Sequence, residues 1–245
     1  MVIIVLSLVS LLVGFLVGIT GVGGILIPPA LILFSGQETH MAIGTALASF
    51  LPVAAVGTVM YRRLGHINWY KALPYMAGSL AAWPGALVNT LMPAAPLVVM
   101  LACIVMFAGL CALRPPKPGR GSAFWQSGKG FFCIGAITAL LAGLTGAGGP
   151  VVSIPWMIIA GVSPMTAVGL AMPYQVTTAL FGTIGNVADG HVDFTMLPYI
   201  CLMAFIGLFA GIAVTKRIPT EVLRKLIGGL CCGLGLFLLL RQLLS

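Results

Sequence analysis

Apolar runs fill almost the whole of this 245-residue chain, and its charged residues, 7% of the total, fall at the ends of those runs. A soluble fold needs far more polar surface than 60% hydrophobic residues leave at a mean hydropathy of +1.15. Only helices and closed barrels satisfy their backbone hydrogen bonds inside a bilayer. These runs are long blocks without the strict alternation of barrel strands. The sequence therefore predicts an all-α polytopic membrane protein.

Within that framework one stretch stands apart. Gly18-Ile19-Thr20-Gly21-Val22-Gly23-Gly24 returns as Gly143-Leu144-Thr145-Gly146-Ala147-Gly148-Gly149. Glycine is poor in a helix interior, so so many in seven residues mark a break in the helix. Apolar helices are expected at 2–17, 41–61, 69–91, 95–113, 129–144, 164–187, 194–215 and 222–240. Two shorter segments, 25–35 and 150–160, follow the two glycine motifs. At about 1.5 Å per residue these reach only about half of a ~30 Å hydrocarbon core. Whether they are re-entrant or full crossings stays open at this point.

Sliding residues 18–70 by 125 positions onto 143–195 needs no gap. It matches Gly18, Thr20, Gly21, Gly23, Gly24, Gly36, Ala42, Gly44, Ala46, Ala54, Gly57, Thr58, Gly65 and His66 with identical residues. The chain divides into a first repeat, 1–113, a linker, 114–127, rich in proline, glycine and basic residues, and a second repeat, 128–245. The first eighteen residues are as hydrophobic as a signal peptide but lack a basic leader region and a cleavage site. They have a counterpart before the second motif, so they are read as mature structure.

The net charge of +8 would point to nucleic acid in a soluble chain. Here Lys and Arg gather in short connections, where they set orientation, and no nucleic-acid partner is expected. Arg62, Arg63 and Lys71 occupy one loop of the first repeat, whose counterpart carries Asp189 and Asp193; the next connection reverses this, with Lys216, Arg217, Arg224 and Lys225 in the second repeat. With five segments per half, the positive-inside rule puts the linker and both basic loops in the cytoplasm and both termini outside a bacterial-type inner membrane, leaving only Arg241 outside among the basic residues. The halves are then inverted. Counting the first two segments as one crossing would give parallel halves, and would also ask one helix of about 50 Å to span the bilayer.

Paired glycine-broken short helices in inverted repeats are the sequence pointer to the binding site of a secondary transporter. A short helix starting at Gly23-Gly24 or Gly148-Gly149 turns free N–H groups and a positive dipole end toward an anion, with the hydroxyls of Thr20 and Thr145 and the close-approach positions Gly21 and Gly146 beside it. The competing reading is that the glycines pack helices tightly and the threonines bond back to their own helices.

Two copies of G-[IL]-T-G-x-G-G in a chain of this size, poor in Arg and Lys, resemble the sulfite exporter TauE/SafE family of anion permeases along the whole length. The resemblance implies movement of small sulfur-containing anions or organic acids such as sulfite, sulfonates and sulfoacetate. No residue selects among them, nor between import and export.

Polar groups inside membrane helices generally face the bundle interior. Gln175 is the strongest further candidate, because its amide can donate to an anion; Thr177, Thr178, Thr183 and Asn186 share its segment, Thr45, Ser49 and Thr58 lie in the matching one, and Asn89 is a weaker candidate near a helix end. His66 and His191, at equivalent positions outside the third segments, read either as coupling or gating groups or as turn and capping residues. Glu38 and His40 are expected in a solvated outer loop, and Trp69, Tyr70 and Trp125 as interfacial anchors. Because the charged residues fall at segment ends, the usual intramembrane carboxylate relay is not expected, and a proton can travel with the substrate, as hydrogen sulfite; H+ or Na+ are the candidate coupling ions.

Cys103, Cys111, Cys133, Cys201, Cys231 and Cys232 lie in apolar segments without metal-ligand spacing, so neither metal nor cofactor is expected. The chain carries no Gly-x-Ser-x-Gly or His-Glu-x-x-His motif, which argues against an enzyme. A channel with paired half-helices shares the broken-helix logic, though the Asn-Pro-Ala pair of such pores is absent.

Overall fold

The computed structural model describes residues 2–20, 24–114, 123–147, 149–214 and 220–244. Among them the secondary structure is entirely helical. Among the described residues four helices are long and apolar enough to cross a bilayer, Thr39–Arg63, Ala94–Cys111, Gly128–Thr145 and Leu197–Val214. The protein is an integral multi-pass membrane protein.

The first repeat starts with α1 (Val2–Thr20), which passes through Gly18 and includes Thr20. The short segment that follows is helical but irregular: a 3-10 turn, Gly24–Leu26, then α2 (Ile27–Ala30), then a π-type turn, Leu31–Ser35. Pro28 and Pro29 have no N–H to give the preceding turn, which accounts for the mixed winding. Next come α3 (Thr39–Arg63), α4 (Trp69–Gly78), α5 (Ala82–Leu91) and α6 (Ala94–Leu113). The sequence reads 69–91 as one helix; a 3-10 turn at Ser79–Ala81 divides it, since Pro84 cannot donate to the carbonyl of Leu80.

The linker is not wholly irregular either, because α7 (Ala123–Gln126) forms a last helical turn in it. The second repeat comprises α8 (Gly128–Thr145), α9 (Pro150–Ile159), α10 (Pro164–Ala188), α11 (Leu197–Val214) and α12 (Thr220–Leu244). Helix α11 begins three residues later than expected. Asp193 Oδ1 accepts from the N–H groups of Thr195 and Met196, so the chain enters the helix through a capped turn.

The most extensive packing joins the two repeats: α1 with α11, α4 and α5 with α8, α3 with α10, and α6 with α12. Exchanging the repeats maps this set of pairs onto itself. Glycines make the contacts close. A methyl group on Gly14 would lie 1.9 Å from the carbonyl oxygen of Ala204, and one on Gly207 would lie 2.0 Å from that of Leu11. Small residues let backbones approach in this way where lipid offers no hydrophobic drive to association.

Run directions follow from the same contacts. Gly44 meets Asn186, Leu47 meets Gly182 and Gly57 meets Met172, so α3 and α10 are antiparallel. Gly109 meets Gly228 and Cys232, and Gly235 meets Ala102 and Met106, so α6 and α12 are antiparallel as well. Helix α1 runs parallel to α11, with Leu11 at Gly207 and Phe15 at Gly211.

Packing also sorts charge between the two ends of the bundle. Arg62 and Arg63 close α3, Lys71 Nζ sits 5.6 Å from the ring of Phe131 near the start of α8, and Gly128 lies beside Pro74. The opposite end holds the loops with Glu38, Asp189 and Asp193.

Candidate functional site

The second motif is a break with defined ends. Thr145 is the last residue of α8, and Gly146 follows at φ +66°, a conformation that glycine adopts without Cβ strain, its N–H bonded to the carbonyl of Ala142 at 2.8 Å. The Thr145 hydroxyl donates to Leu141 O at 2.7 Å and accepts from Ala147 N at 3.4 Å, so its proton is held by its own helix. The carbonyl of Leu144 accepts from Asn89 Nδ2 at 2.6 Å, and a methyl group on Gly146 would lie 3.0 Å from the Cα of Ile43. Gly146 thus lies about one turn inside the N-terminal end of α3.

The motif finishes much deeper. A methyl group on Gly149 would lie 2.4 Å from Cε1 and 2.7 Å from the hydroxyl oxygen of Tyr174, near the middle of α10. Pro150 then opens α9, which runs about 15 Å. Its end returns toward the linker, where Ala160 O accepts from Gln126 Nε2 at 3.1 Å. Gly148 lies outside the described residues, as do Gly21 and Gly23 and the side chain of Thr20 in the first motif.

The described ends of the first motif follow the same course. Gly18 O accepts from the hydroxyl of Tyr61 at 3.3 Å, near the C-terminal end of α3. A methyl group on Gly24 would lie 2.4 Å from Cζ of Phe50, at the middle of α3. The closing glycine of each motif is therefore held against an aromatic ring at mid-length of α3 or α10, and those two helices pack on each other.

Gln175 follows Tyr174 on α10. It is 4% exposed, and its Oε1 has no hydrogen-bond partner among the described residues. Thr183 Oγ1 and Asn186 Oδ1 share that state, while Asn186 Nδ2 donates to Gly182 O at 2.8 Å. Other hydroxyls are engaged with their own helices: Ser49 donates to Ala46 O, Thr58 to Ala54 O and Thr177 to Tyr174 O.

The sulfite exporter TauE/SafE family model matches residues 6–238. The chain belongs to this family. It is 27% identical to a probable membrane transporter protein of Bacillus subtilis, over 90% of this chain and 93% of that one. It is 26% identical to a probable membrane transporter protein of Methanocaldococcus jannaschii, with 94% of each covered. Like its relatives, this TauE/SafE member is a membrane transporter.

The two histidines of this TauE/SafE chain sit in matching turns. Gly65 and Gly190 have φ of +74° and +73°, and the next N–H closes the preceding helix, His66 N to Tyr61 O at 3.2 Å and His191 N to Asn186 O at 2.8 Å. Their carbonyls press on the opposite repeat: a methyl group on Gly169 would lie 2.3 Å from His66 O, and one on Gly44 2.0 Å from His191 O. The helix caps are Asn68 and Asp193, two residues further on, which a search for Ser, Thr, Asn or Asp before each helix would have found.

At the acidic end the His191 ring stacks on His40 with centroids 5.3 Å apart. The sequence places His40 in a solvated loop; instead it is half-buried and its Nδ1 lies 2.9 Å from Asn89 Oδ1. Asn89 gives its amide hydrogens to Leu144, so His40 is the donor of that bond. Gln37 Nε2 donates to Asp193 Oδ2 at 2.7 Å and Asp193 N donates to Thr45 Oγ1 at 2.9 Å. These bonds tie the first repeat to the second. The residues equivalent to Gln37, His40 and Thr45 are Val162, Met165 and Leu170, which offer no such bonds at the basic end.

Sequence reasoning missed Tyr75, Thr138, Ser153 and Tyr174. Each reads singly as a membrane-helix residue, and only packing brings them together behind Gly149. Among the described residues no group of three His, Cys, Asp or Glu side chains converges to hold a metal ion.

Proposed function

We propose that the chain is a secondary transporter of small anions, of the class of sulfite, organosulfonates or related organic acids, working by alternating access between two inverted repeats. The observation that carries this reading is the seating of Gly24 and Gly149 at mid-length of the antiparallel pair α3 and α10. Inversion is supported by the antiparallel run of α3 against α10 and of α6 against α12, each pair being repeat equivalents.

The substrate oxyanion is held by backbone N–H groups at the start of α9 and of the matching turn at Gly24, where helix ends leave donors without partners. Thr20, Gly21, Gly23, Gly146 and Gly148 complete the two breaks, Thr145 shapes its loop, and Gln175 supplies an amide donor beside them. The Gln37, Thr45 and Asp193 contacts close the acidic end and open during the cycle. His66 and His191, at the turns where the repeats touch, gate that movement, and the coupling proton travels on the substrate. The basic end faces the cytoplasm of an inner membrane, with both termini outside.

The test is sulfite, methanesulfonate and sulfoacetate flux in proteoliposomes. Gly23→Leu or Gly148→Leu should abolish flux with insertion and expression retained. Full activity in both variants overturns the assignment of the motifs. Flux that is unaltered when the pH gradient is collapsed removes proton coupling, and flux at channel rates favours a pore with paired half-helices.

A further inference from the structure

Tyr75 of α4 and Tyr174 of α10 are both fully buried and stack at 3.8 Å between centroids, 16° from parallel. Tyr174 donates to Gly135 O at 2.9 Å, and its hydroxyl shares a 2.7 Å hydrogen bond with Thr138, both on α8. Tyr75 donates to the buried hydroxyl of Ser153 on α9. Ser153 N in turn donates to Gly149 O at 3.1 Å. The stacked pair therefore grips the helix before the second motif and the helix after it, while the Tyr174 ring edge bears on Gly149 itself.

Among the described residues the first motif has no stacked tyrosine pair, and one buried tyrosine, Tyr61, donates to Gly18 O. The repeat equivalents of Tyr174 and Ser153 are Ser49 and Pro28, and at the same offset Thr138 corresponds to Val13. Gly24 rests on Phe50, a ring with no hydroxyl to anchor it.

We infer that Tyr75 and Tyr174 are positioning residues that hold Gly149 and the start of α9 in binding geometry. Both hydroxyls are engaged within the protein, so neither touches the substrate; they act through the loop. Fixing the loop in advance removes an ordering cost from binding, so its loss appears in affinity. The inference rests on the anion-site reading given above.

The test uses Tyr75→Phe and Tyr174→Phe, which keep the stacked rings and remove only the hydroxyls. Two measurements are made on the full chain: hydrogen-deuterium exchange in detergent, and sulfite flux in proteoliposomes. Exchange at residues 149–153 should rise several-fold with residues 24–30 unchanged, and KM for sulfite should rise about tenfold with Vmax held, the scale of one lost hydrogen bond. Ser153→Ala should reproduce Tyr75→Phe and add nothing to it in the double variant, whereas Ser153→Thr should retain wild-type KM. Unchanged exchange, a rise shared equally by both motifs, or a fall in Vmax at constant KM overturns the inference. Wild-type protein that carries none of the three probe anions removes the transport reading, and the exchange pattern still decides whether the tyrosines hold the loop.

Discussion

A glycine tolerates a methyl group only where neighbours leave room, and the chain offers a sharp contrast. Gly149 faces the ring of Tyr174, which cannot retreat because Gly135, Thr138 and Tyr75 hold it. Gly149→Ala should therefore destabilise the protein by about 1–3 kcal/mol through overpacking. Gly233 in α12 has no atom within 4 Å of its added methyl, and Gly233→Ala should leave the melting temperature in detergent unchanged. Equal melting temperatures for the two variants would contradict the packing at Gly149. Asn89 is fully buried and serves both Leu144 O and His40 Nδ1. Replacing it with Leu strands a buried carbonyl and should cost about 1–2 kcal/mol. The sequence places Asn89 near a helix end, but its two partners lie 49 and 55 residues away and no local pattern reveals them.

Between elements, α3 and α10 each press closely on the His turn of the opposite repeat. At Gly44 and Gly169 the obstacle is a backbone carbonyl oxygen, which shifts only with its whole turn; at Gly57 it is the flexible thioether of Met172, 2.8 Å away. Gly44→Ala and Gly169→Ala should thus lower the melting temperature to similar extents, and Gly57→Ala far less. A ranking with Gly57→Ala as the most damaging would refute the exchange of contacts between repeats. Helix existence is legible in the sequence because apolar length and glycine breaks are local. The division of 69–91 traces to Pro84. The mixed winding of 24–35 traces to Pro28 and Pro29, whose missing donors leave a choice among helical turns that neighbours settle.

For the whole molecule the decisive quantity is which side each end faces. Leu64 and Asp189 are repeat equivalents, both exposed, at opposite ends of the bundle. In a variant lacking the six native cysteines, Asp189→Cys should react with a membrane-impermeant maleimide in intact cells, and Leu64→Cys only after permeabilisation. Labelling of both from one side would make the halves parallel and remove the inverted-repeat reading.

Hydrophobic blocks determine, without any coordinates, a helical membrane protein, and the doubled glycine motif with the ungapped match of 18–70 to 143–195 leads the sequence to expect two related halves. Those features are properties of short stretches, set by transfer of apolar surface to lipid and by glycine's weak helix preference. Tertiary structure decides what local chemistry cannot: that α1 lies beside α11 and α3 against α10, that each motif ends at mid-length, that the Thr145 proton stays on its helix, and that His40 meets Asn89. It also brings Tyr75 to Tyr174 from residues 99 positions apart, because side chains that distant become neighbours only through the packing of whole helices.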